Sequence, residues 1–372
     1  MWMAEVFHGA PAAASITLLH GGREAFPRML HAIREARQSV HLEVYHLARE
    51  GVGDEFRRAL SEAALRGVRV RVILDGWGSA LDGRWLQAML EADGAEVRIY
   101  HPLSALFTGR FRRNHRKILL VDGRVAYLGG INIADEYGQI GPGRAPDLED
   151  DQPEWMDLAV EIRGAPAAWL EARLRGERPP RPPGPVQIHL SGIGGGGRMR
   201  NIYRRAFGAA RSEILAAHAY FLPDRRFVRS VTASARRGVK VTLLLAGRSD
   251  VPLARAGTVR LYRRLSQSGV EIREWTRSVH HAKVAVVDGA KVLLGSFNLD
   301  PFSLANLESL VEIDDPETAA AARRWFEERA AQARLVSPEE AERGGLTRRL
   351  ADAVGRTVAR FAEWVARLLS GR

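Results

Sequence analysis

The sequence carries one reactive pattern twice. This pattern is His-x-Lys-x4-Asp, and its residues are His115, Lys117 and Asp122 in the first copy and His281, Lys283 and Asp288 in the second. On a strand, side chains two residues apart lie on the same face, so the His and Lys of each copy project together. An imidazole can attack phosphorus or transfer a proton, and an ammonium group stabilises charge on phosphate oxygens. The pattern therefore indicates phosphoryl-transfer chemistry, with one imidazole as nucleophile and the other as acid.

The scarcity of lysine supports a chemical role for these positions. The chain has 55 basic residues, but only Lys117, Lys240, Lys283 and Lys291 are lysines. Two of these four fall on the repeated pattern. Because an ammonium and a guanidinium group are not interchangeable at a tight site, a lysine kept there calls for a chemical reason.

An asparagine follows each pattern at the same distance. Asn132 and Asn298 each lie seventeen residues after their histidine, within Gly129-Gly-Ile-Asn132 and Gly295-Ser-Phe-Asn298. The small residues permit close approach of the backbone to a ligand. Each half thus offers an imidazole, an ammonium and an amide donor, and two such halves face to face would surround one phosphate, with Asn132 and Asn298 binding its oxygens.

Two further pairs of segments show that the whole chain is duplicated. Residues 36–45 resemble 210–219, residues 66–76 resemble 237–247, and residues 115–123 match 281–289. The offsets of 174, 171 and 166 residues keep the order and differ only by loop lengths. A period this long indicates two homologous halves rather than a solenoid.

Each half has an α/β pattern that can position these side chains. Helical spacing covers 54–66 and 224–237, and buried strands are predicted at 68–74 and 239–245. Hairpins with an Asp-Gly turn follow, with strands at 118–121, 125–128, 284–287 and 292–294. The four glycines at 194–197 are interpreted as a flexible loop without the residues of a phosphate-binding loop.

We therefore predict a two-lobed α/β protein with a mixed sheet in each lobe, a pseudo-two-fold axis and the site between the lobes. The predicted boundaries are 1–175 for the first lobe, 176–185 for a stiff Pro-rich linker, and 186–336 for the second lobe. Residues 337–372 are predicted to form a basic, amphipathic, helical tail.

Composition limits the function classes. The 372 residues carry 55 Lys and Arg against 44 Asp and Glu, a formal net charge of +11, which favours anionic partners. Cysteine is absent, which excludes disulfides, Cys-zinc sites and thiol nucleophiles. The remaining histidines show no metal-ligand spacing, so we expect no metal. No apolar run is long enough for a membrane span, and the first residues do not resemble a signal peptide.

The chain resembles the phospholipase D superfamily over nearly its whole length. The likeness is carried by the His-x-Lys-x4-Asp pattern, which is the HKD motif of that superfamily, and by its flanks, in the stretches Arg112–Gly123, Gly129–Tyr137 and Gly295–Asp300. Together with Gly21–Pro27, they are similar in particular to bacterial cardiolipin synthases of the short type, without N-terminal membrane spans. The resemblance implies phosphatidyl transfer between phospholipids through a phosphohistidine intermediate, without cofactor or metal.

Residue roles follow from this resemblance. His115 would be the nucleophile and His281 the acid and later base, and a downstream carboxylate of each half, Asp157 and Glu308, would orient the imidazoles. Asp122 and Asp288 belong to the catalytic motif, but they fall at the hairpin turns, where fixing the strand end is the favoured role.

The resemblance also implies the partners. The expected substrates are phosphatidylglycerol and, as a second candidate, phosphatidylethanolamine, at an anionic membrane surface on the cytoplasmic side, with peripheral attachment and no nucleic acid. The oligomeric state stays open. The loop at 103–113 and the tail from Leu346 each mix apolar residues with arginine, which fits either insertion into a lipid interface or ordinary packing.

Two other functions stay open at this stage. One is a phospholipase D-type hydrolase or a nuclease that uses the same chemistry on lipid or nucleic acid. The other is a membrane-binding scaffold with an inactive site, against which both intact motifs count.

Overall fold

A computed structural model describes residues 14–101, 112–139, 154–192 and 195–342. The predictions for the loop at 103–111 and for the tail at 346–372 lie outside these residues.

The first lobe is built on a seven-stranded mixed sheet in the order β1-β7-β6-β5-β2-β3-β4. Its strands are β1 (Ser15–His20), β2 (Ser39–Val44), β3 (Arg69–Asp75), β4 (Glu96–Tyr100), β5 (Ile118–Val121), β6 (Val125–Gly129) and β7 (Leu158–Arg163). Its helices are α1 (Gly21–Arg34), α2 (Val52–Leu65), α3 (Gly83–Ala92) and α4 (Ala165–Leu174), with a 3-10 turn at Asp135–Tyr137.

The second lobe contains an eight-stranded sheet in the order β15-β11-β10-β9-β12-β13-β14-β8. Its strands are β8 (Val186–Leu190), β9 (Glu213–His218), β10 (Lys240–Ala246), β11 (Glu271–Trp275), β12 (Lys283–Val287), β13 (Lys291–Gly295), β14 (Ser309–Asp314) and β15 (Arg334–Leu335). Its helices are α5 (Gly196–Ala209), α6 (Arg225–Arg236), α7 (Pro252–Val259), α8 (Tyr262–Ser266), α9 (Pro316–Gln332) and α10 (Pro338–Glu342).

The two sheets repeat one topology, apart from the added edge strand β15. In each, three strands are parallel (β2, β3, β4 and β9, β10, β11), and the first strand of the following hairpin pairs antiparallel with β2 or β9. The predicted α/β class with two homologous lobes is therefore confirmed. The predicted strands and helices of the repeat are found within two residues of their expected ends.

This topology brings the reactive segments to one edge of each sheet. Parallel β2 and β3 end at the same edge at which antiparallel β5 and β7 begin. His115 and Lys117 precede β5, Asn132 follows β6, and Asp157 precedes β7. The second lobe repeats the arrangement, so four chain segments of each lobe meet at what we call the site edge.

Three apolar clusters form the core of the protein. The first lies between α1–α3 and the first sheet, where Phe26 and Phe56 pack edge to face with ring centroids 5.7 Å apart. The third lies between the helices of the second lobe and its sheet. The middle cluster joins both sheets with α4 and α9, and includes Leu128, Val286 and Trp325. Because each buried Val or Leu contributes about 1.5–3 kcal/mol, this shared cluster fixes the lobes against each other.

Gly194 lies outside the described residues, but the structure at 195–197 differs from the prediction of a flexible loop. Gly196 and Gly197 form the first turn of α5. A Cβ atom on Gly196 would lie 2.4 Å from the Cα atom of Leu304, so the helix start approaches the 303–304 backbone too closely for a side chain. At this position glycine serves close packing rather than mobility.

Within the described ranges, no helix is both long and apolar enough to cross a membrane. The Pro-rich segment at 176–185 lies against the body of the protein, where Trp169 donates a hydrogen bond to the carbonyl of Pro179 and the amide of Asp314 donates to that of Pro185.

Candidate active site

His115 is held by the second lobe as well as by its own. Its amide donates to the carbonyl of Leu307 at 2.9 Å, and the amide of Leu307 donates to the carbonyl of Arg113 at 2.9 Å. The next residue is Glu308, whose Oε2 lies 3.1 Å from Nδ1 of His115. The backbone pairing thus sets a carboxylate of the second lobe against an imidazole of the first.

His281 shows the same arrangement with the lobes exchanged. Its amide donates to the carbonyl of Met156 at 2.9 Å, and the amide of Met156 donates to the carbonyl of Val279 at 2.9 Å. Oδ2 of the adjacent Asp157 lies 2.7 Å from Nδ1 of His281. The sequence singled out both carboxylates, but not that each serves the imidazole of the opposite lobe.

The two motif lysines are buried beside their histidines. Lys117 is 5% exposed and donates to the carbonyl of His115 at 2.9 Å. Lys283 is 1% exposed, donates to the carbonyl of His281 and lies 2.9 Å from its Nδ1. Each lysine therefore holds the backbone of its own motif and brings a positive charge to the shared site.

Burial changes the protonation of these cationic groups. Burial, together with the charge of the other lysine, lowers the pKa of Lys117 to about 7, and burial lowers the pKa of Lys283 to about 8 against the attraction of Asp157. Burial and the nearby lysines hold the pKa values of His115 and His281 well below their ordinary value. Both imidazoles are therefore neutral at pH 7 in the free protein, as a nitrogen nucleophile requires.

The two orienting carboxyl groups shift in the opposite direction. Burial raises the pKa of Asp157 to about 6 and that of Glu308 to about 8, although the lysine charges oppose both shifts. Glu308 also accepts a hydrogen bond from the hydroxyl of Ser296. Two imidazoles, two ammonium groups and two carboxyl groups thus share one buried site.

The small residues after each hairpin make room for these carboxylates. A Cβ atom on Gly130 would lie 2.4 Å from Oδ1 of Asp157. At the corresponding position, Ser296 donates to Glu308. The expectation that these residues allow approach to a ligand is corrected at Gly130, because the open space is filled by Asp157.

Both predicted asparagines lie at the site edge and are buried. Asn132 is 6% exposed, and its Nδ2 donates to the hydroxyl of Tyr137 at 2.9 Å. That hydroxyl is 3.3 Å from Nδ1 of His281. Asn298 is 3% exposed, and within the described residues the Oδ1 atoms of Asn132 and Asn298 have no hydrogen-bond partner.

Asp122 and Asp288 lie elsewhere. Lys117 directly precedes β5 and Asp122 directly follows it. At ~3.3 Å per residue along the strand, the Cα atoms of Lys117 and Asp122 are about 16 Å apart. Its carboxylate accepts hydrogen bonds from the amides of residues 37–39, and Asp288 does the same for residues 211–213. Grouping the two aspartates with the catalytic side chains is therefore corrected, because they brace the start of the neighbouring strand.

Aromatic rings that the motif analysis missed surround the imidazoles. Tyr45 lies edge-on to His115 with ring centroids 5.2 Å apart, and Tyr220 lies edge-on to His281 at 6.3 Å. Trp155 also contacts His281, at 5.7 Å. Tyr45 and Tyr220 each follow the end of a central parallel strand, and that position was the available signal.

A buried polar cluster in the first lobe fixes the segment before His115. Asn114 donates from its side chain to Glu43 at 2.9 Å and from its amide to Asp75 at 2.7 Å. Burial alone would raise the pKa of Glu43, but hydrogen bonds from His41 and Asn114 and the charge of Arg116 lower it to about 2. The second lobe carries Ala217 at the position of Glu43, so a carboxylate at the matching position does not brace the segment before His281.

Across the described ranges, no group of three or more His, Asp or Glu side chains is arranged to hold a metal ion. His280 is fully buried, and its Nε2 lies 3.1 Å from the carbonyl of Leu244, as expected for a packed neighbour of His281.

Comparison with known proteins places this site in a family. Residues 29–137 and 203–330 match the family model described as cardiolipin synthase, PLD-like domain. The chain belongs to this family. The matched ranges include both HKD segments and Glu308.

Named relatives of the cardiolipin synthase family extend over most of the chain. Cardiolipin synthase B of Escherichia coli K12 is 36% identical over 317 residues, which cover 81% of this chain and 76% of that protein. Cardiolipin synthase 1 of Bacillus cereus is 31% identical over 355 residues, covering 87% and 68%. Among solved structures, phosphatidylserine synthase of Haemophilus influenzae Rd KW20 has a TM-score of 0.72 at 14% identity, covering 97% and 96%, which shows a common fold.

The contact between Gly130 and Asp157 leads to a mutational test. We expect Gly130→Ala to lower kcat/KM for a phosphodiester about a hundredfold, because the new Cβ displaces Asp157 from His281 and small misplacements are costly at this scale. Gly197→Ala is the control, since a Cβ there meets no atom within 4 Å. Turnover and thermal unfolding are measured for both variants. Wild-type kcat/KM in a folded Gly130→Ala protein would contradict the proposed contact.

The lowered lysine pKa values give a pH dependence. Lys117 and Lys283 are protonated below about pH 7 and pH 8 and lose their charge as the pH rises through these values. We therefore expect kcat/KM, which reports the free enzyme, to fall about tenfold per pH unit between pH 7 and pH 8, where Lys117 loses its proton, and about a hundredfold per pH unit above pH 8, where both lysines lose theirs. A kcat/KM that stays constant from pH 7 to pH 10 would show that both ammonium groups keep their protons.

Proposed function

We propose that the protein is a phosphatidyltransferase that makes cardiolipin, by transferring a phosphatidyl group from one phospholipid to the glycerol hydroxyl of phosphatidylglycerol. The observation that carries the proposal is the pair of crossed hydrogen bonds, His115 with Glu308 and His281 with Asp157, around two buried lysines. Membership of the cardiolipin synthase family supports the lipid substrate and the transfer reaction.

The first step forms a covalent intermediate. Burial favours the neutral form of Glu308, but its Oε2 can still accept a hydrogen bond from Nδ1–H of His115, which leaves the lone pair on Nε2. Nε2 attacks the phosphorus of the donor lipid, an N–P bond forms, and the P–O bond to the head-group alcohol breaks. His281 gives its proton to the departing oxygen, so the head group leaves as a neutral alcohol. Lys117 and Lys283, with the amides of Asn132 and Asn298, stabilise the charge on the phosphoryl oxygens.

The second step reverses these roles. The incoming glycerol hydroxyl gives its proton to His281, its oxygen attacks phosphorus, and the bond to Nε2 of His115 breaks. Atoms and charge balance, because one alcohol replaces another on the same phosphodiester. Asp157 steadies His281 in both protonation states.

His281 takes up the proton that it needs from solvent when the substrate binds. In the free protein, burial and the lysine charges keep this imidazole neutral. A phosphodiester anion placed between Lys117 and Lys283 adds a negative charge beside His281, which raises the pKa of the imidazole. The acid form is therefore favoured when there is a leaving group to protonate.

The apolar surface at the site edge favours a lipid substrate over nucleic acid. Trp77 is 49% exposed, Leu81 95%, Val251 40% and Phe302 48%. The guanidinium of Arg113 lies 4.1 Å from the ring centroid of Trp77. A groove for nucleic acid needs positive charge rather than exposed aliphatic side chains. We propose that these residues, which we call the rim, contact an anionic bilayer on the cytoplasmic side, so that attachment is peripheral.

A product assay tests the reaction. The purified protein is incubated with vesicles of labelled phosphatidylglycerol, with and without phosphatidylethanolamine, and the lipids are separated by thin-layer chromatography. We expect cardiolipin as the product, and no turnover in His115→Ala or His281→Ala, because each variant removes one of the two required imidazoles.

Other products would change the proposal. Phosphatidic acid as the sole product would mean that water is the acceptor and that the protein is a hydrolase. An absence of lipid products, together with cleavage of single-stranded DNA, would identify a nuclease. Turnover that survives either histidine substitution would contradict the two-imidazole mechanism.

The rim leads to a separate test. We expect the double variant Trp77→Ser, Leu81→Ser to bind anionic vesicles about tenfold or more weakly, because it loses two apolar side chains that can enter the interface. Leu65→Ser is the control, since Leu65 is 71% exposed but lies at the end of α2, away from the site edge. Co-sedimentation measures the binding, and equal loss in both proteins would contradict a specific docking face.

A further inference from the structure

A carboxylate outside the HKD motifs lies beside the site on the second lobe. The hydroxyl of Tyr220 is 2.7 Å from each carboxylate oxygen of Asp250. Tyr220 follows β9, and Asp250 follows β10, so both lie at the site edge. The ring of Tyr220 is edge-on to that of His281, so the Tyr220–Asp250 pair lies beside the proposed acid.

The pair can accept hydrogen bonds from a ligand. Asp250 is exposed and Tyr220 is half-buried, so solvent reaches the carboxylate while the ring is held in place. A carboxylate has about four lone-pair positions, and the Tyr220 hydroxyl supplies a single proton. The remaining positions can accept hydrogen bonds from two neighbouring hydroxyl groups.

The charge of this pair separates it from the phosphate-binding part of the site. Lys117 and Lys283 attract the phosphodiester, whereas the carboxylate of Asp250 repels it. A neutral group that carries hydroxyls satisfies Asp250 without competing for the lysines. A cationic head group would be repelled by the buried charge of Lys283 beside His281, whereas a neutral polyol would not, so a polyol is the better match.

The matching positions of the first lobe carry no such pair. The positions that correspond to Tyr220 and Asp250 through the duplication are His46 and Ser79. His46 is bonded through Nδ1 to the carbonyl of Gly78 at 2.8 Å, and the Ser79 hydroxyl donates to the carbonyl of Tyr45 at 3.2 Å. Both are used in local structure, so the acceptor groups occur on the His281 side and not at the matching positions of the first lobe.

We propose that Tyr220 and Asp250 form the subsite for the glycerol hydroxyls of the alcohol that enters or leaves beside His281. This inference rests on the proposed function, in which His281 exchanges its proton with that alcohol. The asymmetry then gives the reaction a direction: the phosphatidyl group is held toward His115, and the head group lies toward the second lobe.

The test compares two acceptor alcohols on the same enzyme. Vesicles of labelled phosphatidylglycerol are incubated with either free glycerol or ethanol. Transfer to ethanol gives phosphatidylethanol, and transfer to glycerol is followed with labelled glycerol. We expect Asp250→Asn to lower kcat/KM for glycerol about ten- to a hundredfold, mainly through KM, because hydrogen bonds to a charged acceptor are lost. The value for ethanol, which has no second hydroxyl, should change less than about twofold by the same reasoning.

Matched variants complete the design. Tyr220→Phe should shift the same ratio in the same direction by a smaller factor. Asp93→Asn, which removes a carboxylate at the end of α3 on the opposite edge of the first sheet, should leave the ratio unchanged.

Each other outcome overturns the inference. An equal loss for both alcohols would mean that Asp250 positions His281 generally, and no loss for either would mean that it does not bind the alcohol. With ethanolamine added as a third acceptor, a loss in Asp250→Asn that is confined to ethanolamine would replace the polyol by an ammonium ligand. A wild-type protein that transfers phosphatidyl groups to neither alcohol would overturn the proposed function, and this subsite with it.

Discussion

The structure depends on a constraint across the lobe boundary: each imidazole hydrogen-bonds to a carboxylate of the other lobe. His115 is paired with Glu308 and His281 with Asp157, and two short backbone pairings at Leu307 and Met156 set these distances. Neither lobe alone therefore contains an oriented imidazole. The apolar cluster shared by the two sheets, with Leu128 and Val286 among its members, serves the chemistry because it holds the lobes in this register.

Burial makes the same site reactive. Burial lowers the pKa values of Lys117 and Lys283 and raises those of Asp157 and Glu308, so all four groups are shifted toward their neutral forms. A phosphodiester anion relieves this cost because it gives both ammonium groups a partner. The free site therefore favours binding of an anion. Substrate binding then favours the protonated forms of the two lysines and of His281, which the transfer of a phosphoryl group requires.

The sequence predicted the parts that are periodic or repeated. The duplication and the strand positions followed from spacing, because i and i+2 alternation and buried strands leave a local signal. The hydrogen bond between Glu308 and His115 left no local signal in the sequence, since the two residues are about 190 positions apart in the chain. Gly130 was misread because its neighbour in space, Asp157, is not its neighbour in sequence. The Tyr220–Asp250 pair was missed for the same reason: its two members come from different strand ends that only the folded sheet brings together.

The most direct measurement is rapid-quench trapping of the covalent intermediate from labelled phosphatidylglycerol, in wild type, Glu308→Gln and Asp122→Asn. If the second lobe orients the nucleophile of the first, the label maps to His115, and its formation slows about a hundredfold in Glu308→Gln, the scale of a misplaced catalytic group. Asp122→Asn, which alters the motif carboxylate of the same lobe, keeps the wild-type rate. Label on His281, or an undiminished rate in Glu308→Gln, would contradict the crossed arrangement.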